Sequence, residues 1–271
     1  MKSNILALLS LCCLTGLLRA DEEPTVSLRL DIVAWGDAIH GLSVGTEREE
    51  KIIALPFTYS QPLKYSGPAL LRLHHDGSVA PVAESATPTP EDESHTSKPL
   101  QPEKPGADSK ELPIPAELAQ AREKDPTIAA LVPLPRNSRR VTILLAPAAG
   151  GTFQPYVIDD DPSKLPPGKL RVHNLSPFPI AMQFSDGTKT EVKRGGTALA
   201  NARDGQAAYR LAYQKDEEWI IQENNVIPIR ENEQTQFIVL KSTNAFFLSK
   251  DGAAGGFLQT VLLRRPPETE G

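Results

Sequence analysis

Apolar and polar residues alternate in short runs along most of this chain. Val26, Leu28, Leu30 and Ile32 alternate with Ser27, Arg29 and Asp31, which predicts a strand with one buried and one wet face. Residues 51–59, 69–73, 128–134 and 140–146 read as further strands, with a polar turn at Arg136-Asn137-Ser138 before the last. A short strand follows at 154–159. Leu165-Pro166-Pro167-Gly168 then signals a turn, and Leu170 and Val172 alternate with Lys169, Arg171 and His173. Ile180, Met182 and Phe184 share one face. Asp186-Gly187 reads as a two-residue hairpin turn, because both residues tolerate positive φ, with 188–194 as the partner strand. Tyr209, Leu211 and Tyr213 alternate again, and 218–222, 234–240 and 257–263 complete the set.

Strands this short, separated by turns, predict an all-β fold of Ig-like β-sandwich architecture. The ordered parts divide into a first half, 21–75 with 128–160, and a second half, 161–265, followed by a tail at 266–271. Two packed sandwich halves fit these lengths, and so does a single larger sandwich.

Two segments break the pattern. Lys2, the apolar run 5–18 and the small residue closing Leu18-Arg19-Ala20 form an export signal over 1–20. The run is too short for a comfortable membrane span, and no later stretch is long and apolar enough to make one. Residues 76–127 hold nine prolines, no Phe, Tyr or Trp, and a net charge of −6. Such a composition buries too little surface to offset its ordering entropy, which predicts a disordered Pro-rich insertion. One short helix is expected within it, Ala116–Lys124, entered through Pro115 and stopped before Pro126.

The segmentation changes what the composition means. The chain carries −5, and removal of Lys2 and Arg19 with the signal makes that −7. The insertion accounts for −6, so the rest is close to neutral and lacks the basic face of a nucleic-acid binder. Both cysteines, Cys12 and Cys13, lie in the signal. The remainder therefore has no disulfide, thiolate zinc site or cysteine nucleophile. An exported chain without disulfides points to a bacterial protein of the periplasm or cell exterior.

Candidate chemistry is sparse. Gly41-Leu42-Ser43-Val44-Gly45 matches the G-x-S-x-G nucleophile elbow, which needs a strand–turn–helix context. Here a charged turn and a strand follow instead. Asp159, Asp160 and Asp161 are clustered hard oxygen donors and candidate Ca²⁺ ligands, without EF-hand spacing. His74 and His75 are strand neighbours and face opposite ways. One of them could join His173 and an aspartate in a metal site. No cofactor is implied, since neither Gly150-Gly151 nor Gly195-Gly196 leads into a phosphate-loop Lys. Trp35, Phe57, Tyr59 and Tyr65 form one aromatic grouping; Tyr209, Tyr213, Trp219 and Phe237 form another. Each is either core packing or a sugar-stacking platform.

The segments FTYSQPLKYSGPALLRL (57–73) and YVIDDDPSKLPPGKLRVHNLSPFPI (156–180) resemble uncharacterised exported proteins of planctomycete and verrucomicrobial bacteria. LRVHNLSP (170–177) is distantly similar to the opening strand of small secreted Ig-like domains. Both resemblances rest on turn and strand residues and carry no catalytic residue across. The resulting expectation is a non-catalytic envelope protein, structural or interacting, with a protein or glycan partner. A carbohydrate-binding or adhesion module, Ca²⁺-dependent or not, is the second reading, and an exported serine hydrolase centred on Ser43 the third.

Overall fold

The computed structural model describes residues 24–44, 50–59, 61–77, 114–200, 202–241 and 258–265. The signal expected at 1–20, most of the acidic stretch and the tail at 266–271 lie outside these residues. What is described is an all-β stack with one α-helix.

The first eight strands are β1 (Thr25–Ala34), β2 (Ile39–Val44), β3 (Glu50–Pro56), β4 (Leu63–Pro68), β5 (Leu70–His75), β6 (Ile128–Pro133), β7 (Arg140–Ala148) and β8 (Thr152–Asp159). They form one sheet in the order β6-β5-β2-β3-β1-β7-β8, with β4 also paired to β1. The sheet folds over on itself. β3 meets β1 through only Val33↔Leu55 and Ala34↔Pro56, while the earlier part of β1 pairs with β4 along the same side. Leu42, Leu71, Leu73 and Val132 from one limb thus pack on Leu30, Ile32, Ile143 and Leu145 from the other. Burying such faces on folding gains about 25 cal/mol per Å² of apolar surface.

The helix α1 (Ala116–Lys124) forms where the sequence predicts it. It buries Leu118, and Arg122 Nη1 donates to the Ile128 carbonyl oxygen at 3.1 Å. The last part of the acidic stretch is therefore packed against the first core. The disorder expected of 76–127 does not extend over 116–127, where Leu118, Arg122 and the Thr127 contact to His74 anchor the helix and the turn after it.

The remaining strands are β9 (Leu170–Asn174), β10 (Ile180–Phe184), β11 (Lys189–Val192), β12 (Thr197–Ala200), β13 (Gln206–Lys215), β14 (Glu218–Pro228), β15 (Gln234–Lys241) and β16 (Leu258–Arg265). They make two four-stranded sheets, β11-β10-β13-β14 and β12-β9-β15-β16. Period-two alternation drives their packing. Leu170, Val172, Phe237 and Val239 face Ile180, Met182, Leu211 and Tyr213 across a second core.

The hairpin expected at Asp186-Gly187 exists, pairing Ile180↔Val192 through Gln183↔Lys189, but its turn differs. Gly187 alone takes positive φ, at 85°, and its N–H bonds the Phe184 carbonyl oxygen at 2.9 Å. Asp186 contributes its carboxylate instead, accepting from the Thr188 N–H at 2.8 Å. This is a three-residue turn with glycine in the left-handed position. The two-residue turn lies elsewhere: Asp216 and Glu217, at φ 50° and 68°, join β13 to β14. Sequence signals miss it because such turns usually hold Asn and Gly.

Candidate functional site

In the sheet β12-β9-β15-β16, the strand β15 is buried on both faces. Phe237 and Val239 point into the second core, while Ile238, Leu240 and Leu263 pack on Val33, Leu144 and Ile158 of β1, β7 and β8. Trp35, Phe57, Tyr59 and Tyr156 border this seam, and the Trp35 and Tyr156 rings lie 5.8 Å apart. Phe57 holds φ of 44°, a conformation that costs an aromatic residue about 1–2 kcal/mol. The strand reversal out of β3 and the seam packing hold it there.

One end of the seam is charged. Arg265, at the end of β16, places Nη2 2.7 Å from Asp31 Oδ2 and 2.7 Å from Asp160 Oδ2. Thr142 Oγ1 donates to Asp160 Oδ2 at 2.8 Å, and the Arg265 guanidinium carbon lies 4.0 Å from the Tyr59 ring centroid. Both aspartate side chains are wholly buried. Burial raises the Asp31 carboxyl above its ordinary range, against the lowering effect of Arg265. Burial would lower the Arg265 guanidinium, but Asp160, Tyr59 and Asp31 outweigh it and raise it. Desolvation pushes the Tyr59 phenol up as well. A cation so placed fixes the orientation of two packed sheets; it offers no free acid or base to a substrate.

The three aspartates singled out as Ca²⁺ candidates take separate roles. Asp159 pairs with Lys164 and accepts from Ser138 Oγ at 2.8 Å. Asp160 turns into the seam. Asp161 accepts from the N–H groups of Arg139 at 2.8 Å and Ser163 at 2.9 Å, which helps to hold its carboxyl down at about 2. Successive strand-end residues point in different directions, so adjacency in sequence does not make the three converge. Among the described residues, no three His, Cys, Asp or Glu side chains gather to hold a metal ion.

His173 is likewise internal. Its Nε2 lies 2.7 Å from Gln236 Oε1, and burial lowers its imidazole to about 4. The aromatic groupings also divide: Tyr65 lies in the first core and Tyr209 and Phe237 in the second, whereas Trp219 is exposed on β14.

Ser43 sits in β2, inside an extended strand rather than an elbow. The ladder places it opposite His74 of β5. His74 Nδ1 lies 3.0 Å from Thr127 Oγ1 and 3.6 Å from Asp125 Oδ2, so a serine, a histidine and an acid share one region of sheet face. Sequence reading paired none of these, because β2, β5 and the turn before β6 are far apart along the chain. An extended strand does not gather backbone N–H donors beside Ser43 as a strand-to-helix elbow does.

Two surfaces among the described residues bear on binding. An open cleft of about 480 Å³ runs between α1, β8 and the loops after β9 and β11, lined by Pro115, Leu118, Tyr156, Leu175 and Arg194. The other is the open edge of β14. Trp219, Ile221 and Val226 are 42%, 60% and 48% exposed, on a strand that, among the described residues, pairs only with β13. Glu223 of the same strand faces inward and accepts from Tyr209 Oη at 2.6 Å. No family model matches the chain, and no curated protein matches it.

Proposed function

We propose that this chain is an exported, non-catalytic protein of the bacterial envelope that works as an interaction module. The observation that carries the reading is the exposed apolar edge of β14, set on a body whose buried ionic groups are engaged internally. Apolar side chains clustered beside unpaired strand backbone favour contact with another chain. The export signal at 1–20 and the lack of cysteine beyond it support an extracytoplasmic setting.

The test has two parts. Mass spectrometry of the envelope fraction should find a mature N-terminus at Asp21. Native size fractionation of envelope extracts should find the protein in a complex that the Trp219→Lys/Ile221→Lys double variant leaves. A full-length cytoplasmic chain, or a variant that stays in the complex, rejects the proposal.

Exposed Trp219 supports a second reading, a carbohydrate-binding module, because a flat indole on a sheet face can stack on a sugar ring. Affinity electrophoresis through soluble glycans separates the two. Retardation abolished by Trp219→Ala favours sugar; unchanged mobility removes it.

A further inference from the structure

We infer that the β14 edge is a self-association surface, at which a second copy of this chain adds its own β14 antiparallel across a two-fold axis near Ile220. This rests on the interaction-module reading and names the partner. Lys215 and Glu218 close the two-residue turn as ladder partners, followed by Gln214↔Trp219, Tyr213↔Ile220 and Ala212↔Ile221. With Lys215 and Glu218 as a hydrogen-bonded pair, alternation leaves the N–H and C=O of Trp219 and Ile221 on the open side. Pairing Trp219 with Ile221 of the second copy, and the reverse, satisfies all four of those groups in each copy and keeps the two-fold.

The side chains agree with this register. Trp219 and Ile221 lie opposite Gln214 and Ala212, on the outer face of the sheet, whereas Ile220 lies opposite the core residue Tyr213. The symmetric pairing therefore gathers two Trp219 and two Ile221 side chains on the outer face and brings the two Ile220 side chains together on the inner one. Glu218 falls opposite Gln222, the extra residue of a bulge in β14, so the regular two-fold pairing ends there without setting an acid against an acid. Charge complementarity supports the same partner. Arg210 Nε donates to Asn224 Oδ1 at 3.2 Å, which holds its guanidinium near the edge. In this register the acidic turn Asp216-Glu217 of the second copy approaches Asn224, and so meets Arg210.

Sedimentation velocity of the purified protein over a concentration series tests the inference. The expected result is a monomer–dimer equilibrium that Ile221→Lys weakens about tenfold or more and that Arg210→Glu also weakens. Leu199→Lys, on β12 of the other sheet and as exposed as Ile221, should leave the equilibrium unchanged. Circular dichroism should show all three variants folded, since each position is exposed. A monomer at every concentration up to about 200 µM overturns the inference. So does a dimer weakened by Leu199→Lys as much as by Ile221→Lys, because that is general apolar stickiness. A monomer whose envelope complex is nevertheless lost in the Trp219→Lys/Ile221→Lys variant overturns self-association alone and leaves the interaction module standing.

Discussion

Arg265 and Asp31 meet at 2.7 Å, although 234 positions separate them in the sequence. Their contact joins the last residue of β16 to the middle of β1, and so ties the end of the described chain to its beginning. Asp160 completes the clasp from the loop after β8.

Removing the cation should be costly. Arg265→Ala leaves two buried carboxylates without their shared partner and should destabilise the protein by about 3–5 kcal/mol in urea unfolding. Asp31→Asn keeps an oxygen for Arg265 and removes a carboxylate that burial already disfavours, so it should cost clearly less. Equal losses for the two variants would mean that packing, not charge, holds this end of the seam.

His173 should make stability fall in mild acid. The folded state keeps its imidazole neutral down to about 4, against an ordinary 6.5. The unfolded state therefore binds more protons between those values. This contribution is complete above 6.5 and is lost as pH falls towards 4, with a slope of up to about 1.4 kcal/mol per pH unit. His173→Gln preserves an amide opposite Gln236 and should flatten that part of the stability profile. An unchanged slope would show that His173 is not the group titrating.

Gly187→Val should lower the melting temperature through backbone strain alone. Gly187 takes φ of 85° and a Cβ there meets no atom within 4 Å, so about 1–2 kcal/mol of conformational cost is expected. An unchanged melting temperature would indicate that the turn adapts.

Ser43 should prove inert. A fluorophosphonate probe should not label it faster than other surface serines, and hydrolysis of a chromogenic ester should be the same in Ser43→Ala. Stoichiometric labelling that depends on His74 would instead make the Ser43, His74 and Asp125 grouping a catalytic site.

The fold was legible in the chain because its strands obey a period of two. The alternation puts Leu28, Leu30 and Ile32 on one buried face, and all three line the first core. β4 and β12 escaped notice for local reasons. β4 ends in Gly67-Pro68, which reads as a turn, and β12 spans four residues of mixed polarity. The candidate sites were far less legible. Asp159, Asp160 and Asp161 looked like a ligand cluster because a sequence displays neighbours, whereas Asp160 finds Arg265 105 positions away. Alternation leaves Trp219, with Tyr209, Tyr213 and Phe237, open to either a core or a surface role, because edge exposure depends on strand order, which alternation does not specify.

Site-specific photo-crosslinking in cells tests the interaction surface most directly. A photoreactive residue replaces Trp219 in one variant and Ser43 in another, and both are irradiated in intact cells. Discrete adducts from position 219, and none from position 43, are the expected result; their mass identifies a second copy of the chain or another envelope component. Position 219 giving no adduct, or both positions giving the same diffuse products, would contradict a dedicated interaction surface at β14.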